Sequence, residues 1–209
     1  MHLIFIDGSP FARMARVLLH EHGLKATEEE ITEFPPPDSH LAINPMGHVP
    51  VLMDDGESWF PTRIVLDVIL SRATAGEVAA RVARPGHDRQ DEQVLAVILT
   101  MGDALAAHHY ALWAGIGPVG PNRLGFDPAG RNMVRVLATL DWLEARMGPE
   151  GFHPGIISVQ DVALACLILW TESRGPIAWR DRPRIEAMLR RLEGRPAFAA
   201  TAPRPHQLK

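Results

Sequence analysis

Cysteine is almost missing: the 209 residues contain one, Cys166. That excludes an internal disulfide, a CxxC redox pair and a cysteine-rich zinc site, and it fits a reducing compartment. Lysine is nearly absent too, and the arginine that replaces it in this alanine-rich chain reflects genome composition rather than binding chemistry. Basic residues recur along the chain without gathering in a block, and the formal net charge is −4. Nucleic acid is therefore not an expected partner. No stretch reaches the ~18 uncharged apolar residues of a membrane span. The opening Met1-His2-Leu3-Ile4-Phe5-Ile6-Asp7 lacks the basic leader and long apolar core of a secretory signal, so the chain is expected in the cytoplasm, with no membrane as partner. Metal motifs are missing as well. Ten histidines are present, but none is paired at i,i+4 and there is no HExxH. His20 and His22 fall on opposite sides of a helix, and the adjacent His108 and His109 splay by ~100°. No metal is expected.

What remains is a chain that is 46% hydrophobic and 22% charged, enough for one large domain or two small ones. Residues 1–75 alternate short strands with helices. Residues 3–6 form an apolar run that suits a buried strand. Ser9-Pro10 then supplies a cap and a proline at the first helical position, and Phe11, Met14, Val17 and Leu18 follow at helical spacing until Gly23. A weaker strand is predicted over residues 30–34, ended by Pro35-Pro36-Pro37. Strands at 49–53 and 58–60 flank Asp54-Asp55-Gly56-Glu57, whose Asp-Gly pair signals a hairpin. Thr62 can cap a helix that turns Ile64, Val65, Val68 and Ile69 inward.

From residue 86 onward only helical patterns remain. One runs over 88–113, and a second starts at Asp127-Pro128 with Met133, Val136, Leu137, Leu140 and Leu143 at 3–4 spacing. A third opens at Ser158-Val159-Gln160-Asp161, a capping box with Asp in place of Glu or Gln, and is apolar nearly all round, which places it at the centre of this half. A last helix covers 182–192. Residues 76–87, with Gly76, Pro85 and Gly86, make the linker between a first domain over 1–75 and a second over 88–209.

Four segments together resemble the cytosolic glutathione transferases: Ser9-Pro10-Phe11-Ala12-Arg13, Asn44-Pro45-Met46-Gly47-His48-Val49-Pro50-Val51-Leu52, Ser158-Val159-Gln160-Asp161 and Arg195-Pro196-Ala197-Phe198. The resemblance implies an α/β, thioredoxin-like first domain, an all-α second domain, glutathione as cosubstrate and a homodimer. Its interface would join the first domain of one subunit to the helical domain of the other, with Trp59 and Phe60 beside the hairpin.

The chemistry such a protein needs is specific. A free thiol has a pKa near ~8.5 and the thiolate is the nucleophile, so lowering that pKa by ~2 units requires about 2.7 kcal/mol of preferential stabilisation. A hydroxyl at Ser9, between a strand and a helix N-terminus, can donate to a sulfur anion that the helix N–H groups and dipole also favour. The same serine can simply cap its helix, and the two roles are compatible. Ser9 matches the family's serine activator, four residues before Arg13.

The resemblance also makes Val49-Pro50 a cis peptide, against the general preference of X–Pro bonds for trans, with Val49 offering its backbone to the cysteinyl part of glutathione. His48 stands where lysine is common in the family, as a hydrogen-bond donor to the glycine carboxylate or as an exposed loop histidine. Thr62 replaces the family's serine at the third helix, where hydroxyl and N–H groups bind the γ-glutamyl carboxylate, unless it is only a cap. The family's acidic residue before it is Pro61 here, so a partner of the γ-glutamyl ammonium is lost. Glu57-Ser58 has the right composition but falls too early, at the hairpin.

His109, Tyr110 and Trp113, with Phe11, are expected either to wall a pocket for a small hydrophobic electrophile or to pack between helices. Cys166 reads as inert core, and Arg190, Arg191 and Arg195 as a solvated face. The expectation is a serine-type glutathione transferase. The alternative is a non-catalytic ligand-binding or protein-interaction module on the same fold.

Overall fold

The computed structural model describes residues 1–33, 35–73, 89–116, 123, 125–174 and 179–204. The first half contains β1 (His2–Phe5), α1 (Pro10–His22), β2 (Thr27–Glu30), the short α2 (Asp38–Leu41), β3 (Val51–Asp54), β4 (Glu57–Trp59) and α3 (Thr62–Arg72). The second half contains α4 (Arg89–Trp113), α5 (Pro128–Glu144), α6 (Val159–Arg174), α7 (Pro183–Glu193) and α8 (Pro196–Ala200). The linker expected over 76–87 lies outside the described residues.

The strands form one sheet in the order β2-β1-β3-β4, with β1 parallel to β2 and antiparallel to β3, and β3 antiparallel to β4. Leu3, Ile4 and Phe5 are buried in the middle of it. Helix α1 begins and ends on its local signals. Ser9 Oγ accepts the Ala12 N–H at 3.2 Å, Pro10 opens the helix, and Gly23 takes φ 61 while the Gly23 and Leu24 N–H groups close on the His20 and Leu19 carbonyls. The hairpin turns at Asp55 and Gly56, both at positive φ, which is the handedness that matches the twist of its strands.

Strand β2 differs from expectation: it covers Thr27–Glu30 and shares only its last residue with the predicted 30–34. The reason is its place at the sheet edge. An edge strand needs no apolar face and is protected by charge, so its Thr-Glu-Glu-Glu carries no hydrophobic signal; Glu28 pairs with Arg16 at 2.9 Å and Glu29 with His2 at 2.8 Å instead. At α3 the cap is also not the expected one. Pro61 occupies the N-cap position and its carbonyl accepts the Ile64 and Val65 N–H groups at 2.9 and 3.2 Å, while Thr62 is the first helical residue and makes no capping bond.

In the helical half, α6 is the core, with every residue from 159 to 168 buried. It packs against α1, α4 and α7. Helix α4 is long and apolar enough by length and composition to cross a membrane, yet here it lies between α5 and α6. The C-terminal arginines are not a uniformly solvated face. Arg195 makes a two-pronged bond to the buried Glu21 of α1 at 2.7 and 2.5 Å, and Arg191 reaches the Ile156 carbonyl at 3.4 Å and Asp161 at 3.8 Å. Only Arg190 of the three remains well exposed, paired with Glu186 one turn earlier. On the other face of that seam Arg13, itself buried, donates to the Phe198 carbonyl at 3.0 Å. Two of the motifs that carried the resemblance, far apart in sequence, therefore clasp each other.

Candidate functional site

Sheet register alone gathers the candidate residues. Ile4 pairs with Val51, so the end of β1 that leads to Ser9 lies beside the start of β3, which follows Val49-Pro50. Leu52 pairs with Trp59, so β4 runs back to that same end and delivers Phe60, Pro61 and Thr62 there. The turn after β1, the segment before β3 and the start of α3 thus meet at one end of the sheet.

Ser9 is half-buried and its hydroxyl oxygen accepts the Ala12 N–H, which leaves the hydroxyl proton free to donate outward. Val49-Pro50 is a cis peptide, and so is Phe60-Pro61. The segment before β3 is held from behind by two buried side chains. Asn44 Nδ2 donates to the His48 carbonyl at 2.7 Å, and His40 Nε2, which must carry its proton to do so, donates to the same oxygen at 3.0 Å. Asn44 Oδ1 also accepts the Met46 N–H at 3.0 Å. These bonds fix the backbone at Val49 while the His48 side chain stays exposed. His40 carries no sequence signal for this task; it is recognisable only once α2 is seen to fold against the loop.

Pro61 is exposed, and Thr62 and Arg63 are half-buried. The first N–H groups of α3 have no acceptor within the helix, which suits an anion. Arg63 ties this end to the helical half through Glu92 of α4 at 2.7 Å. Glu57 and Ser58 lie in β4, on the far side of Trp59 and Phe60 from the helix start, and do not reach it by chain position.

Helices α4 and α6 face this end of the sheet. The Phe11 ring and the Leu167 side chain both lie against Gly102: a Cβ there would stand 2.8 Å from the ring tip and 2.9 Å from a Leu167 methyl, so a larger residue would have to push one of them aside. Asp103 neighbours His48; burial pushes its carboxyl above the usual range, and the charge on His48 opposes that. Further along α4, His109 is 2% exposed, with its ring edge-on to Trp170 at 4.6 Å and beside Trp113 at 5.9 Å. Neither His109 ring nitrogen has a hydrogen-bond partner among the described residues. Burial, then the charges of His108 and Arg174, hold its pKa below the ordinary histidine value, so it is neutral. Tyr110 is exposed and stacks edge-on with Trp113 at 5.5 Å. Of the expected pocket residues, Phe11 and His109 therefore lie in packed surroundings and Tyr110 faces out. Cys166 is fully buried and its thiol is pushed up to about 12 by desolvation, which leaves it protonated and unreactive.

Sequence reasoning missed Arg174 altogether. It ends α6, and its guanidinium lies over Gly8, the residue before Ser9. Nothing local marks an arginine in the last turn of a core helix as one that reaches the turn after β1.

Residues 3–75 match the family model described as the glutathione S-transferase N-terminal domain. The GST-like protein YibF of Escherichia coli K12 is 27% identical over 208 residues, 97% of this chain and 98% of its own. A glutathione S-transferase of Methylobacterium radiotolerans in complex with glutathione sulfonate superposes with a TM-score of 0.78 at 19% identity, over 100% of this chain and 97% of its own. A glutathione transferase family member from Pseudomonas fluorescens with bound glutathione gives 0.75 at 23% identity, over 97% and 98%. The architecture is thus the glutathione transferase fold, a thioredoxin-like sheet domain followed by a helical domain.

Proposed function

We propose that this chain is a serine-type glutathione transferase, cytoplasmic and homodimeric. The observation that carries the reading is the convergence of Ser9, Val49-Pro50 and the start of α3 at one end of the sheet, facing α4 and α6. Glutathione would lie across these three segments. The Val49 backbone would hold its cysteinyl part, the free N–H groups at Thr62 its γ-glutamyl carboxylate, and His48 its glycine carboxylate. At Ser9 the thiol loses its proton to solvent, and the hydroxyl and the α1 N-terminus stabilise the anion left behind. The sulfur electron pair then forms a bond to an electrophilic carbon of a small hydrophobic cosubstrate near Trp113 and Tyr110. In a substitution the leaving group departs with the displaced electron pair; in an addition the resulting carbanion takes a proton from water. Glutathione-dependent consumption of a model electrophile at neutral pH by the folded protein tests the proposal, and its absence despite bound glutathione would replace it with a ligand-binding module.

Pro61 favours that second reading in one respect, because it offers no carboxylate to the γ-glutamyl ammonium. A charge-assisted bond of this kind contributes ~1.5–3 kcal/mol. Pro61→Glu is therefore expected to tighten glutathione binding by roughly tenfold or more while leaving the pH dependence of thiolate formation alone. Unchanged affinity in a folded variant would mean that another carboxylate already meets the ammonium or that glutathione is not the ligand. Titration of the wild type with a glutathione analogue lacking the amine separates the two, since only a compensating carboxylate makes that analogue bind worse.

The homodimer has its own check. Trp59 and Phe60 are half-buried in the isolated chain, and the Trp59 indole N–H has no acceptor among the described residues. Light scattering at micromolar concentration should return a particle of twice the 23.1 kDa chain mass. A monomer would refute the assembly without touching the site.

A further inference from the structure

Among the described residues Arg174 makes no ion pair, although the charge on Asp7 acts on it. Its guanidinium lies so close over Gly8 that a Cβ there would stand 2.8 Å from Nη2. Its Nε is buried and has no hydrogen-bond partner, and no carboxylate stands within ion-pair distance of it among the described residues. The groups whose charge it shares are Asp7 in the turn after β1 and His109 on α4. Asp7 is already engaged by Arg16 at 3.9 Å and by Arg204 at 3.3 Å, with the Arg204 N–H at 2.7 Å. His109, buried beside it, also has no partner on either nitrogen among the described residues. Unmatched donors are costly when desolvated, and here they border the turn that carries Ser9.

We propose that Arg174 is a second anion-holding residue of the glutathione site, and that the anion it holds is the glutathione sulfur. The assignment rests on the glutathione reading. Ser9 follows Gly8 directly in the chain, so a guanidinium above Gly8 stands within one residue of the hydroxyl that meets the sulfur. It brings a full positive charge where the hydroxyl and helix end bring only dipoles. Gly8 is what admits it. Burial holds the Arg174 pKa below the ordinary arginine value while the charge on Asp7 opposes that, and the group remains a cation across the neutral range.

The test compares three ligands on the whole protein: glutathione, glutathione sulfonate with a fixed negative charge in place of the thiol, and S-methylglutathione with none. In Arg174→Met the thiol pKa of bound glutathione, read from thiolate absorbance against pH, should rise by about one unit, which is tenfold less thiolate well below that pKa. Sulfonate affinity should fall by about tenfold, S-methylglutathione affinity should hold, and Arg174→Lys should restore most of the difference. Gly8→Ala, which displaces the guanidinium by a flexible side-chain shift, should move both readouts in the same direction without removing any charge. Equal losses for all three ligands would mean that Arg174 is only structural. An unchanged thiol pKa with lost activity toward acidic electrophiles alone would place the charge on the second substrate instead. Either result overturns the assignment. If the wild type binds none of the three, the glutathione reading itself fails and takes this one with it.

Discussion

Ser9→Ala is expected to lower glutathione-dependent turnover at pH 7 by about tenfold or more, with little loss of glutathione affinity. One donor to a developing or resident anion is worth roughly 2–4 kcal/mol in comparable sites. The Arg174 guanidinium over the neighbouring Gly8 places this protein at the lower end of that range, because a second cationic donor partly covers the loss. The sign with pH is fixed by the charge. Removing the hydroxyl raises the pKa of the bound thiol, so the deficit is largest below the wild-type pKa and closes as pH climbs past that of the variant. Ser9 is also the N-cap of α1, with its oxygen 3.2 Å from the Ala12 N–H. The same substitution should therefore cost about 1 kcal/mol of stability. A lowered melting temperature with unchanged turnover would reduce Ser9 to its capping role, so pH–rate profiles and thermal unfolding are to be read together.

The largest stability effect is expected at Asp161. It is fully buried, and its carboxylate accepts the Ser158 N–H at 2.8 Å, the Ser158 hydroxyl at 2.9 Å and the Phe152 N–H at 3.0 Å, while Ser158 Oγ accepts the Asp161 N–H at 3.2 Å. Burial pushes the Asp161 carboxyl up, and these bonds and the charge on Arg191 pull it back. Alanine would leave the buried Ser158 N–H and the part-buried Phe152 N–H unmatched, at about 1–3 kcal/mol each, while Ser158 Oγ could still cap the N–H of the substituted residue. A total of about 2–6 kcal/mol follows, which for a chain of this length lowers the melting temperature by about 10 °C. Asp161→Asn keeps one acceptor oxygen and should lose less. Calorimetry that finds both variants within a degree or two of wild type would show that α6 does not depend on this box.

These two residues also show why parts of the molecule could be read in advance. The Ser9-Pro10 start and Gly23 stop of α1, the Asp55-Gly56 turn and the Ser158/Asp161 box are local: each satisfies backbone groups within a few residues, so composition at fixed spacing announces it. Strand β2 had no such announcement, because Thr27-Glu28-Glu29-Glu30 owes its strand state to the neighbouring β1 edge rather than to an apolar face. The clasp of Glu21 by Arg195 was hidden for the same reason, the partners being 174 residues apart. At this end of the sheet, the place of Ser9 at the start of α1 and the cis Val49-Pro50 peptide were legible through a family pattern. His40, Asp103 and Arg174 were not, since each comes near His48 or Gly8 only after α2, α4 and α6 have packed. Thr62 lies at the predicted helix start, but Pro61 took the cap position because its carbonyl begins the hydrogen-bond ladder.

Everything proposed for the end of the sheet requires that glutathione bind there. Calorimetric titration of the folded wild-type protein with glutathione at neutral pH tests this most directly. The account predicts one saturable site per chain, with binding complete by millimolar glutathione and weakened when the α3 N-terminus is blocked by Thr62→Pro. No heat of binding at millimolar glutathione, from protein whose thermal unfolding confirms that it is folded, would contradict it.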